Sequence, residues 1–411
     1  MGRAILHVRK YGDAGLQEEI LEACLHCWAL DPQIEGTRAS YVSDLLSCLP
    51  DPAPYRNAVV ASLGTGGDSI DTVQRFRLAW IWAEGGDDQA LGAMYAAYSP
   101  GPGYGAEVGI CFVGLRGLKG LLYVAEKLGT LLEANPGCVD SGWLVSDAKE
   151  RFGDDVVLRA LRDEATGNRY IKTFLEHELV RLAAESKEPE PRPDVSSWNY
   201  EQLLELAPLS HRYRYRVWGK TANADELRKA AAALKELTDQ AIIRAYLGIF
   251  STATFPLDPG LILKLLQHYD DEVRWSAALA LCNVTDPRVR AFAFRAVATH
   301  DDCQRFAVAL LNRNYVEGDH EIIRQWFLKE SDRDIKQSMG RAIEEFWERH
   351  PNPQFETAIL LDRYLHQPCS HCREGVVLRM IELGVLSDDL REECRWDCNE
   401  DIRTSVAVHQ A

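Results

Sequence analysis

Residues 270–300 read DDEVRWSAALALCNVTDPRVRAFAFRAVATH. After the acidic turn at the start, Val273 and Ala277 are four residues apart, so they share one face of a helix. A second apolar stretch, from Val289 to Val297, follows the Asp286-Pro287 step. The acidic turn suits a helix N-terminus, because a carboxylate there can accept a hydrogen bond from an unpaired backbone amide and faces the positive end of the helix dipole. The stretch therefore predicts a helical hairpin.

The start of this hairpin recurs along the C-terminal half of the chain as the pattern apolar, basic or polar, any, any, apolar. Its period is about thirty residues, which is typical of stacked-repeat proteins. We predict that the first apolar residue is buried, as at Val273, Ile335 and Ile402. The six occurrences are Ile243-Arg244 with Leu247, Val273-Arg274 with Ala277, Cys303-Gln304 with Ala307, Ile335-Lys336 with Met339, Cys372-Arg373 with Val376, and Ile402-Arg403 with Val406.

Residues 225–411 resemble the HEAT-repeat family, in its short bacterial form of roughly thirty residues per repeat. The resemblance is clearest over 270–300 and implies an all-α fold in which antiparallel helical hairpins stack into an α-solenoid. It also implies a habit of binding partners, and it supplies no catalytic residues.

A segment rich in proline and charge, residues 185–197, has almost nothing to bury and is predicted to be a linker. It separates an N-terminal part, residues 1–184, from a C-terminal repeat domain, residues 198–411, and both have ordinary domain sizes. Apolar residues in the N-terminal part also follow helical spacing, and no run alternates as a strand. We expect degenerate helical hairpins there.

The composition argues against several classes of function and location. The 411 residues include 62 acidic and 46 basic side chains, for a net charge of −16. That balance disfavours bulk attraction to nucleic acid or to an anionic membrane. No secretory signal is visible, and the most apolar long stretch, residues 108–132, carries four charges that a membrane-spanning helix would not tolerate. Eleven scattered cysteines do not form a disulfide framework, which favours a cytoplasmic location.

Two pairs of cysteines near the C-terminus, Cys369 with Cys372 and Cys394 with Cys398, have a spacing that would let four thiolates converge on zinc. The alternative is buried thiols. Cys372 occupies the first apolar position of the repeat, and Cys394 and Cys398 are four residues apart on one helix face. We favour the second interpretation and expect no cofactor.

The most suggestive surface chemistry lies between Ser210 and Lys220, where basic and aromatic residues alternate without an acidic one. Arginine beside aromatic side chains can anchor an acidic peptide or clamp phosphates. The alternative is that these arginines pair with the chain's own carboxylates and the aromatic rings cover the first repeat. The candidate partner-binding residues are Arg212, Tyr213, Arg214, Tyr215, Arg216, Trp218 and Lys220.

Two His-Glu pairs, His177-Glu178 and His320-Glu321, resemble the ligand pairs of the HEAT-repeat iron hydroxylases. That family uses four such pairs in matching repeats. Because only two pairs occur here, at unlike positions, we interpret them as solvated helix residues.

These observations predict a non-enzymatic scaffold that binds another protein on a solenoid surface, since such surfaces are broad and enclose small substrates poorly. A nucleic-acid-binding HEAT-like protein is the first alternative, although it would need a basic concave surface. A metal-dependent HEAT-repeat enzyme is the second. No membrane partner is expected.

Overall fold

The computed structural model describes residues 2–65, 68–100, 104–136, 142–185, 194–206, 212–367 and 369–408. Within these ranges the protein is all-helical and contains no β-strand. No helix in the described part combines the length and the apolar character needed to cross a bilayer. The chain divides into two compact units, residues 1–189 together with 368–411, and residues 190–367.

Within the described ranges, the first unit is built from fifteen helices taken from both ends of the chain. Its core has two parts, one around α1 to α6 and the other around α6 to α12. The helices are α1 (Gly2–Tyr11), α2 (Gln17–Leu25), α3 (Pro32–Glu35), α4 (Ala39–Ser47), α5 (Ala53–Ser62), α6 (Ser69–Glu84), α7 (Asp88–Ala97), α8 (Gly105–Arg116), α9 (Leu118–Ala134), α10 (Gly142–Phe152), α11 (Asp154–Ala165), α12 (Arg169–Glu185), α24 (Ser370–Glu382), α25 (Asp388–Cys394) and α26 (Glu400–Val408).

The second unit contains the remaining helices. They are α13 (Tyr200–Leu206), α14 (Arg212–Thr221), α15 (Ala224–Ala233), α16 (Gln240–Phe250), α17 (Gly260–Leu265), α18 (Asp271–Leu281), α19 (Pro287–Ala298), α20 (Ala307–Asn312), α21 (Asp319–Lys329), α22 (Arg333–Arg349) and α23 (Pro353–His366), with short 3₁₀ turns at Val195–Ser197, Leu234–Glu236 and Asp302–Phe306.

Helices α24 to α26 pack among themselves and against α1 and α3, so they belong to the first unit. The second unit therefore matches the predicted C-terminal domain, residues 198–411, only as far as Gln367. Residues 186–193 of the predicted linker lie outside the described part. The first unit thus depends on contacts between segments that are far apart in the sequence.

In the second unit, alternate helices contact one another in order. Helix α14 packs on α16, α16 on α18, α18 on the turn at Asp302–Phe306, and that turn with α20 on α22. The intervening helices pack against this row. For example, α17 packs on α18, and α19 packs on α20. The approach of α14 to α16 requires Gly219, because a Cβ at this position would lie 2.4 Å from the carbonyl oxygen of Ile249.

The repeat pattern falls at the start of successive helical elements, and acidic residues cap them as expected. Asp239, Asp270 and Asp332 each accept a hydrogen bond from a backbone amide in the first turn of the helix that follows. The second apolar position is buried in all six occurrences, at Leu247, Ala277, Ala307, Met339, Val376 and Val406. This position, rather than the first, is the constant core contact of the pattern.

The first apolar position is more variable. Val273 and Ile402 are fully buried, as predicted, whereas Ile335 is only half-buried, so the expectation for that residue is wrong. Ile335 lies in the first turn of α22, and the helix reaches the core one turn later with Met339.

The basic position of the pattern has a structural role that the sequence did not reveal. In three of the five basic carriers, Arg244, Arg274 and Arg373, the guanidinium binds a carboxylate that lies shortly before the next occurrence of the pattern. The pairs are Arg244 with Glu272, Arg274 with Asp302 at 3.3 Å, Arg373 with Asp397 at 2.8 Å, and the related Lys336 with Asp362 at 2.8 Å. We call these contacts the basic-acidic ladder.

Because Val273 is fully buried, Val273→Asp is expected to unfold the second unit, since an unpaired buried carboxylate costs several kcal/mol, on the order of the stability of a whole domain. Leu279→Asp on the same helix is the matched control. Leu279 is exposed, so this change is expected to alter stability by about 0.5 kcal/mol or less. Urea denaturation followed by circular dichroism measures both, and equal effects would contradict the assigned orientation of α18.

Arg373 and Asp397 are the most buried pair of the ladder, with side chains 4% and 1% exposed. Burial alone would raise the pKa of Asp397, but the hydrogen bonds and charge of Arg373 outweigh it and hold the pKa below its usual range. The stabilising contribution is therefore present above about pH 4 and is lost as the pH falls through the lowered pKa.

We expect Arg373→Met to destabilise the first unit by about 3–5 kcal/mol, because it leaves the Asp397 carboxylate buried and uncompensated. The double variant Arg373→Met with Asp397→Leu is expected to recover a large part of that loss. Urea titrations of the single and double variants measure the coupling. Additive losses would show that the two side chains do not stabilise the fold as a pair.

Candidate functional site

The predicted partner-binding residues all lie on α14, where the helix separates them into two sets. Tyr215 and Trp218 are buried, at 2% and 0% exposure. The indole Nε1 of Trp218 donates a hydrogen bond to the carbonyl oxygen of Trp198 at 2.9 Å, and the ring of Tyr215 lies 6.3 Å from that of Tyr246. These two aromatic residues form part of the core, so the surface available to a partner is narrower than the sequence suggested.

The exposed set consists of Arg212, Tyr213, Arg216 and Lys220, which we call the α14 face. The three basic residues are four apart, so their side chains follow one another along the helix. Tyr213 is 71% exposed, which is unusual for a residue with so much apolar surface. The face therefore combines positive charge with an accessible aromatic ring.

Some of this charge is already used within the protein. Arg212 forms an exposed ion pair with Glu272 at 3.4 Å, a contact that contributes little in water. Arg214 is half-buried and interacts within the protein. Arg216 and Lys220 are exposed and form no ion pair within the described ranges. Arg216 and Lys220 are therefore available to bind an external anion.

The four C-terminal cysteines are in the first unit and differ in their surroundings. Cys369 and Cys394 are buried, whereas Cys372 and Cys398 are only partly buried. Cys372 was expected in the core, and that expectation is wrong, because Val376 fills the core position one turn later. Across the described residues, no group of three or more His, Cys, Asp or Glu side chains is placed to hold a metal ion.

Two of these thiols act as hydrogen-bond acceptors. The sulfur of Cys369 caps α24 by accepting from the amide of Cys372 at 3.4 Å. The sulfur of Cys398 accepts from Nη1 of Arg38 at 3.0 Å and from Nη2 of Arg373 at 3.5 Å. Burial, with the nearby Asp397 charge, raises the pKa of Cys398, so this thiol stays protonated at neutral pH and is not an activated nucleophile.

The two His-Glu pairs are not the solvated residues that we expected. Glu178 is fully buried and accepts hydrogen bonds from Arg181 at 2.9 and 3.0 Å. His320 is 7% exposed and stacks on Phe355, and burial lowers its pKa, so the ring is neutral at physiological pH. Hydrogen bonding to Arg324 lowers the pKa of Glu321 to about 2. Both pairs serve packing and internal ion pairing.

A polar cleft in the second unit was missed by the sequence analysis. Its lining includes His268, Arg274, His300 and Asp302. His300 has a positive φ of 52°, which a glycine adopts more easily, as Gly384 does after α24. The sequence did contain a signal for this cleft, because a histidine shortly precedes each of two successive acidic turns, His268 before Asp270 and His300 before Asp301. The prediction used only the apolar positions of the repeat pattern.

Comparison with known proteins adds little to this geometry. No family model matches the chain, and no curated protein matches it either. Among solved structures, a crystal structure of an engineered protein is similar over 99% of this chain and 97% of its own, with 14% identity and a TM-score of 0.29. A superposition at that score carries no structural or functional argument.

Replacing Cys372 with valine is expected to change the free energy of unfolding by less than about 1.5 kcal/mol, as a nearly volume-conserving change. Cys398→Ala is expected to cost more, about 1–3 kcal/mol, because two buried arginines lose an acceptor. Urea denaturation with and without a chelator measures both effects. Stoichiometric zinc in the purified protein, or unfolding by the chelator, would show instead that the thiols are ligands.

Proposed function

We propose that the protein is a non-enzymatic scaffold that binds an acidic segment of another protein through the α14 face. The observation that carries the proposal is the exposed set on α14, in which Arg216 and Lys220 lack ion-pair partners within the described residues and Tyr213 is 71% exposed. Arginine and tyrosine are enriched among the residues that dominate binding energy at protein interfaces.

The scaffold in this proposal is a HEAT-like α-solenoid, in which helical pairs of the second unit stack in sequence. The ordered contacts from α14 to α22 support it, as do the ladder pairs Arg244 with Glu272 and Arg274 with Asp302, which join neighbouring pairs. A stacked array of this kind holds an exposed helix at its end in a fixed orientation. The proposed location is the cytoplasm, where the thiols remain reduced.

Charge favours an acidic peptide over other partners. The whole chain carries a net charge of −16, so binding of an anionic partner requires a local basic surface. Three cations on one helix suit a short acidic segment. A nucleic acid presents a long row of phosphates and needs a broader basic surface. The exposed ring of Tyr213 adds apolar contact that a peptide side chain can use.

The test uses fluorescence anisotropy with a labelled oligo-glutamate peptide containing leucine, and with an oligo-dT strand as the second probe. We expect the peptide to bind, and Arg216→Glu with Lys220→Glu to weaken that binding by at least about tenfold. The matched control is Lys264→Glu with Lys329→Glu, which reverses two exposed lysines outside α14 and is expected to leave binding unchanged.

Thermal denaturation of the same variants separates binding from stability. The α14 reversal is expected to leave the melting temperature within a few degrees of the parent, because exposed charges contribute about 0.5 kcal/mol or less. Equal loss of binding in both double variants would contradict a specific face. Tighter binding of oligo-dT than of the peptide would identify the nucleic-acid alternative, and a large drop in melting temperature would assign the α14 cations to structure.

A further inference from the structure

Helix α24 of the first unit begins with a pair of cysteines. Cys369 is its N-cap residue, and Ser370, His371 and Cys372 form the first turn. The sulfur of Cys369 accepts a hydrogen bond from the amide of Cys372 at 3.4 Å. Side chains at the N-cap and at the third helical position are neighbours, as in a capping box. Alpha carbons three residues apart along a helix are about 5 Å from each other, which is within the range that a disulfide bridges.

The two thiols differ in their access to solvent. Cys372 is only partly buried and follows His371, whose side chain is 71% exposed. Cys369 is 6% exposed. A reagent in solution therefore reaches Cys372 more easily, whereas Cys369 is best placed to react with a group already attached to Cys372. The amide hydrogen bond and the positive end of the helix dipole favour negative charge on the Cys369 sulfur, which suits that second step.

The residue between the cysteines is held in place, and the charged groups around this helix end are paired with one another. Glu35 accepts hydrogen bonds from the amide and the hydroxyl of Ser370, which fixes the first turn of α24. Because cations and carboxylates balance here, the reactivity of the thiols depends on their position and not on a surplus of positive charge. The ion pairs are Glu35 with Arg38, Arg373 with Asp397 at 2.8 Å, and His371 with Glu374 at 3.6 Å.

A second pair with the same spacing, Cys24 and Cys27, provides a comparison within the same unit. Cys24 lies near the C-terminus of α2 and is fully buried, and burial raises its pKa to about 12. The amide of Cys27 donates to Asp71 Oδ1 at 2.8 Å and not to a sulfur. The negative end of a helix disfavours a thiolate. This pair therefore shares the spacing of Cys369 and Cys372 but not their geometry.

The pair Cys394 and Cys398 is also poorly suited to thiol exchange. Cys394 is fully buried. The sulfur of Cys398 accepts hydrogen bonds from Arg38 and Arg373, and burial raises its pKa, so it stays a thiol at neutral pH. Among the described cysteines, Cys369 and Cys372 are therefore the pair best placed to react.

We propose that Cys369 and Cys372 form a reversible dithiol that exchanges with small disulfides such as glutathione disulfide. The Cys372 thiolate attacks one sulfur of the reagent, whose S–S bond breaks and releases one thiolate. The Cys369 thiolate then attacks the Cys372 sulfur of the mixed disulfide and releases the second thiolate. The two cysteines lose two electrons and two protons, and the reagent becomes two thiols. The site is separate from the α14 face and does not depend on the proposed scaffold function.

The test equilibrates the reduced full chain in glutathione buffers of increasing oxidised fraction, then quenches in acid, alkylates the remaining thiols and maps the peptides by mass spectrometry. We expect a disulfide between Cys369 and Cys372 that dithiothreitol reverses. In the buffer that oxidises half of this pair, disulfides between Cys24 and Cys27 or between Cys394 and Cys398 are expected to be at least about tenfold rarer.

Single substitutions separate the two steps. Cys369→Ser keeps a good N-cap residue and is expected to trap glutathione on Cys372. Cys372→Ser is expected to slow the modification of Cys369 by at least about tenfold, because that thiol is buried. The matched control Cys27→Ser is expected to leave the disulfide between Cys369 and Cys372 unchanged.

The parent chain decides the proposal even if a variant fails to fold. Glutathione that accumulates on Cys372 of the parent without an internal disulfide would overturn it, as would a chain in which neither cysteine reacts. Equal oxidation of Cys24 with Cys27 would show that sequence spacing alone, and not the N-terminus of α24, governs the reaction.

Discussion

The contact on which much of this structure depends is the pairing of a basic side chain in one helical element with a carboxylate that lies shortly before or within the next one. Packed helices lie 8–10 Å apart, a gap that the long side chains of arginine and lysine can bridge. Arg274 reaches Asp302 in the second unit, and Arg373 reaches Asp397 in the first. The same carboxyl-rich turns also cap helices, as Asp270 caps α18. One acidic turn therefore fixes both the start of a helix and its position relative to the preceding one.

In the first unit, a buried polar cluster around Glu35, Arg38 and Ser370 joins N-terminal and C-terminal segments of the chain. Glu35 accepts hydrogen bonds from the amide and the hydroxyl of Ser370, both at 2.7 Å, although the two residues are 335 positions apart. Backbone bonds from Ser370 and Asp31, with the charge of Arg38, oppose the effect of burial and lower the pKa of Glu35 to about 2. Close packing of α1 against α25 also requires Gly2, because a Cβ there would collide with the carbonyl oxygen of Glu393. The N-terminal and C-terminal segments of the first unit are therefore joined both by polar interactions at Glu35 and by close packing at Gly2.

The basic residues of the chain fall into two groups, those that pair with carboxylates inside the protein and those that stay exposed. Most basic residues of the repeat pattern pair with carboxylates inside the protein, whose net charge is −16. The α14 face is notable for that reason, since it precedes the first occurrence of the pattern and the ladder does not consume Arg216 or Lys220. Arg38 represents the opposite case, because its charge is neutralised by Glu35 and only one donor remains unpaired.

The sequence by itself determined the helical class, the period of the repeat and the acidic caps, because helix spacing and capping are local and leave a mark every few residues. It also located the α14 segment. Only the tertiary structure decided that Tyr215 and Trp218 are core residues, that Ile335 is half-buried, and that Arg373 binds Asp397. It alone placed α24 to α26 with the N-terminal helices and Arg38 at the lining of a cavity. Periodicity identifies which face of a helix is apolar, whereas the neighbour that covers this face is set by contacts between residues hundreds of positions apart.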